Sequence, residues 1–116
     1  MAWAAGDDRP EIVAAAARTD PSVFVRATAV SVLGQVRAVN EMETLIAALD
    51  DPDRMVRVRA LASIERILGR RYVVYLDDPP GSDRRREAVE NVRQIWAEKG
   101  HHARDYYAAK KARGER

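Results

Sequence analysis

In this 116-residue chain an aspartate and an arginine six residues apart occur twice, as Asp20 with Arg26 and as Asp51 with Arg57. Arg57 falls inside a helical apolar stripe of Val56, Ala60, Leu61, Ile64, Ile67 and Leu68. A charge on such a face must be paired or reach a polar edge. Asp51 is its expected partner. At a helix start an aspartate can also satisfy free backbone N–H groups and meet an arginine from a neighbouring layer. The four residues therefore read as a structural ladder. Other candidate chemistry is sparse. His101 and His102 are adjacent, so on a helix they point about 100° apart, and no third ligand stands at metal-binding spacing. Asp77 and Asp78, with Asp83 nearby, could bind a cation, yet they lie in a Pro-Gly turn where aspartate serves the backbone. There is no Cys, no Gly-rich phosphate loop and no Ser/His/Asp set. We expect no enzyme activity, no catalytic residue, no cofactor and no metal.

Binding chemistry is better represented. "RRYVVY" and "DRRREAVENVR" are rich in arginine, and Tyr72 and Tyr75 could stack on bases, as nucleic-acid binders require. Asp83, Glu87 and Glu90 interrupt the second run, and Arg–Glu pairs are ordinary on a solvated helix. Residues 1–58 hold 6 basic and 9 acidic side chains, and residues 59–116 hold 14 and 9, so the second half is basic within a net charge of +2. Trp96 sits at a packing position. Trp3, in "MAWAA" before the first helix, has no such position and is either a staple over the open end or a partner contact. Arg59 and Arg66 lie off the apolar stripe. Trp3, Arg59, Arg66, Arg70, Tyr72 and Tyr75 are the candidate partner-binding residues.

The elements that carry these residues repeat. "DPSVFVRATAVSVLG", from Asp20, overlays "DPDRMVRVRALASIERILG", from Asp51, at an offset of 31 residues. Asp, Pro, Val25/Val56, Arg26/Arg57, Ala29/Ala60 and Leu33/Ile64 match without a gap. A looser third copy follows Arg85, Ala88, Val92 and Trp96. Each copy reads as a helix pair. Met42, Leu45, Ile46 and Leu49 form an apolar stripe behind an Asn40 cap with Glu43 three residues on. Asp20-Pro21 and Asp51-Pro52 read as helix starts. Gly69 reads as a C-terminal cap, and Gly34 as an end or a bend. Tyr72 to Leu76 should be extended, followed by a turn, with the last helix running from Ser82 or Asp83 to Gly100. Hydrophobic residues at 47% supply a core, and aromatics at only 6% make it aliphatic.

"LIAALDDPDRMVRVRALASI" resembles a HEAT repeat of the short type found in phycobilisome lyases. Leu45, Leu49, Asp51, Val56, Arg57, Ala60 and Ile64 carry the likeness, with Val25, Arg26, Ala29 and Leu33 in the first copy. Arg18 departs from it, standing where Leu49 stands in the second. The resemblance implies an all-α, right-handed α-solenoid over residues 1–100, with repeats near 10–38, 40–70 and 71–100. Residues 101–116 would form a basic tail or short helix. It also implies that Asp20, Arg26, Asp51 and Arg57 are structural. Some enzymes with such repeats hold a di-iron centre through His-Glu motifs, and this chain has no His before position 101. The implied function is a cytoplasmic protein-binding module: a scaffold, adaptor or accessory subunit that meets another protein or a second copy of itself. Nucleic-acid binding through the Arg-rich half is the alternative. No apolar run is long enough for a membrane span.

Overall fold

The computed structural model describes residues 9–114, which include five α-helices and no strand. They are α1 (Pro10–Thr19), α2 (Val23–Gln35), α3 (Met42–Ala47), α4 (Arg54–Leu68) and α5 (Asp83–Ala112), with single 3₁₀ turns on either side of α3. Ser22, Asp53 and Ser82 are the N-caps of α2, α4 and α5, each accepting a backbone N–H from the first turn. The expected caps Asp20 and Asp51 therefore stand two residues too early. They close the turn ahead of the cap instead, accepting from Ser22 N at 2.8 Å and Asp53 N at 2.9 Å. Asn40 does not cap α3 either. It lies within the 3₁₀ turn Val39–Glu41, and Glu41 is the N-cap without a side-chain bond. Gly69 ends α4 in the left-handed conformation, at φ +74.

α1 packs on α2, α3 on α4, α1 on α3 and α2 on α4. The helices form two layers, consistent with a thickness of 17 Å. One aliphatic core fills the space between them, with Leu33, Met42, Leu45, Ile46, Leu49, Val56 and Ile64 all fully buried. Burying each such side chain contributes roughly 1.5–3 kcal/mol. Gly34 stands in the last turn of α2, one residue before its end at Gln35, and it also serves packing. A Cβ there would stand 2.3 Å from Ser63 Oγ and 2.8 Å from its Cα. The missing side chain lets α2 and α4 touch, and Ser63 Oγ donates to Val30 O at 2.7 Å. Arg18, the departure from the repeat pattern, reaches α3 and donates from Nε to the buried Thr44 Oγ1 at 2.8 Å.

Residues 69–82 are irregular and send Val74 into the core. No helix precedes α5 as α1 precedes α2. α5 lies against α3 and the turn before it. Its end was expected at Gly100, yet it runs on to Ala112. The stripe Trp96, Gly100, Ala103 and Tyr107 continues at helical spacing. Gly100 serves packing there, since a Cβ would meet the Trp96 ring at 3.0 Å. Tyr107 Oη donates to Ile67 O at 2.9 Å, satisfying a carbonyl that the end of α4 leaves free. Residues 101–112 are thus part of the folded unit. No described helix is long and apolar enough to cross a membrane.

Candidate protein-binding surface

The Asp–Arg ladder fixes where the surface lies. Arg57 does not pair with the Asp51 carboxylate. Its Nη1 donates to the Asp51 carbonyl at 2.8 Å, as Arg26 Nη1 does to Asp20 O at 2.9 Å. The Asp51 carboxylate takes the arginine of the preceding copy instead: Arg26 Nε reaches Oδ2 at 2.9 Å and Nη2 reaches Oδ1 at 3.2 Å. That carboxylate, hydrogen-bonded to the guanidinium, raises the Arg26 pKa above its ordinary value. Both side chains are largely buried. Arg57 Nε turns to Leu76 O at 3.0 Å. Arg85 completes the pattern at the third copy. It is 5% exposed, donates to Asp78 O at 2.8 Å, and pairs with Asp50 at 3.3 Å. Arg85 had already been aligned with Arg57 by its spacing. Asp50 has no counterpart elsewhere in the repeat, and only packing brings it into reach.

With the ladder and core facing inward, α2 and α4 present matched outer faces. Phe24, Thr28, Ser31 and Gln35 stand on α2. The offset of 31 residues carries them to Met55, Arg59, Ala62 and Arg66 on α4, and no member of either row is buried. Phe24, the chain's single phenylalanine, is 66% exposed, and Met55 is 42% exposed. Val58 adds apolar area beside Met55. Two candidate residues, Arg59 and Arg66, belong to this face, and Arg70 follows just past the end of α4. Phe24 and Met55 were not among the candidates. Their signal was present: an aromatic and a methionine at equivalent positions, off the apolar stripe.

The remaining candidates separate. Tyr72 is half-buried, its ring 5.7 Å from the Arg70 guanidinium carbon, and its buried hydroxyl has no hydrogen-bond partner among the described residues. Burial pushes its pKa up. Tyr75 is exposed, with φ +59, and lies 4.2 Å beneath the Arg84 guanidinium. Trp3 lies outside the described residues. His101 and His102 are exposed on α5. The acidic turn is occupied by arginines: Arg54 on Asp77, Arg84 on Asp78, Arg86 on Asp83. The Arg84 guanidinium, with the Ser82 hydroxyl, holds the Asp78 carboxyl well below the usual range, and Arg54 lowers Asp77. Arg93 meets Glu43 and Glu90. Most of the run "DRRREAVENVR" is consequently neutralised within the fold. Comparison with family models, with curated proteins and with solved structures gave no match.

Proposed function

We propose that this chain is a protein-binding module built as a short HEAT-like α-solenoid, acting as a scaffold, adaptor or accessory subunit. The observation that carries the reading is the outer face of α2 and α4, where Phe24 stands 66% exposed on a helix held from behind by the core. Exposed aromatic and methionine side chains on a rigid support, flanked by arginine, have the composition of protein interfaces. The repeat register supports the solenoid, since the 31-residue offset superposes the caps Ser22 and Asp53, the buried pairs Ala29/Ala60 and Leu33/Ile64, and the exposed pair Phe24/Met55. Arg84, Arg85, Arg86 and Arg93 already have carboxylate partners, and this favours a protein partner over nucleic acid. The test is affinity capture with the intact chain and with Phe24→Ser/Met55→Ser. A partner held by the former and lost by the latter, with unchanged circular dichroism, supports the proposal. Equal capture by both removes it. Light scattering distinguishes a second copy of the chain, and labelled DNA and RNA at two salt concentrations test the alternative.

A further inference from the structure

A cavity of about 660 Å³ opens between the last turns of α5 and the segment joining α2 to α3, with Gln35 at the end of the α2 row among its lining residues. Val36 and Tyr107 give it apolar walls, and Arg37, Arg104, Lys110 and Lys111 line it as well. No carboxylate is among its described lining residues, whereas Arg26, Arg54, Arg84, Arg85, Arg86 and Arg93 each pair with one elsewhere in the fold. Lys110 and Lys111 also sit in the last turn of α5, where the helix dipole favours cations. Arg37 Nη1 donates to Gln35 O at 3.1 Å, capping a carbonyl at the end of α2. It occupies the left-handed position that closes α2, at φ +49, with Arg37 N bonded to Gly34 O and Ala38 N to Leu33 O. Glycine is the ordinary residue at this position, because a side chain there is strained. A charged side chain at that position lines the cavity, and its guanidinium keeps donors beyond the one given to Gln35 O. Arg104 is positioned by stacking, 4.8 Å over the Trp96 ring. The volume is that of a small-molecule site.

We propose that this cavity binds a small amphipathic anion: a carboxylate, sulfonate or phosphate carried on an apolar body. The body fills the space between Val36 and Tyr107, and the charged group meets Arg37 and Arg104. The site shares only Gln35 with the α2–α4 rows, Phe24 and Met55 lie outside it, and neither proposal depends on the other. The test uses 8-anilinonaphthalene-1-sulfonate and its uncharged analogue N-phenyl-1-naphthylamine, titrated by fluorescence into the full chain. One equivalent of the sulfonate should bind, about tenfold or more tighter than the neutral probe. Arg37→Gly should melt no lower than the parent chain and bind the sulfonate about fivefold more weakly. Adding Arg104→Gln should weaken it further, whereas Phe24→Ser should leave it unchanged. Equal binding of the two probes, unchanged affinity in Arg37→Gly/Arg104→Gln, or loss of binding in Phe24→Ser would overturn the proposal.

Discussion

Replacing Asp51 by alanine tests how the two layers are braced. The carboxylate accepts two hydrogen bonds from Arg26, at 2.9 and 3.2 Å, and one from Asp53 N at 2.9 Å. The side chains are 14% and 8% exposed, so the pair lies between the surface and buried limits. Removing one member of a fully buried pair costs about 3–5 kcal/mol, and an exposed pair is worth about 0–1. Arg26 keeps its bond to Asp20 O, which softens the loss. We expect Asp51→Ala to destabilise by about 2–3 kcal/mol, lowering the midpoint by about 10 °C for a domain of this size. The assay is urea and thermal unfolding followed by circular dichroism at the helix band. A double-mutant cycle with Arg26→Met should give a coupling of about 1–2 kcal/mol. Asp77→Ala serves as the internal control, because the Arg54–Asp77 pair lies in solvent and its loss should leave the midpoint unchanged. A loss below about 0.5 kcal/mol, or strictly additive Asp51 and Arg26 effects, would refute the ladder as a brace.

Two further outcomes follow from close packing and from burial. Gly34→Ala gains about 1 kcal/mol of helix propensity but drives a methyl group into Ser63, backbone included. Unfolding should show a net loss of about 1–2 kcal/mol, partly restored by Ser63→Gly. Tyr72→Phe removes a buried hydroxyl without a partner and should raise stability by about 1 kcal/mol. In the parent chain the Tyr72 pKa is raised, so its neutral form is favoured by the fold. The corresponding stability is fully present below the ordinary tyrosine value of about 10 and is lost as pH rises through the folded value. Tyrosinate absorbance should therefore include a component displaced to high pH, absent in Tyr72→Phe.

Helix content, the repeat offset and the aliphatic core were legible because they rest on local periodicity. Arg57 inside its stripe announced that a buried charge needed acceptors, whatever they proved to be. The sequence could not say that Arg57 would take carbonyls while Asp51 took Arg26 from the preceding copy. Both aspartates stand six residues before an arginine, and only stacking decides which one is in reach. Gly100 shows the same limit. Glycine near a helix end reads as a stop, yet the Trp96 ring occupies the space its side chain would fill, and α5 continues. The cavity is likewise a product of tertiary structure, since Arg37 and Arg104 are 67 positions apart along the chain. Spacing along one helix fixed which residues face inward, because that depends on a single backbone period. Which charges meet across layers depended on how separate helices stack, and that distance is written in no local pattern.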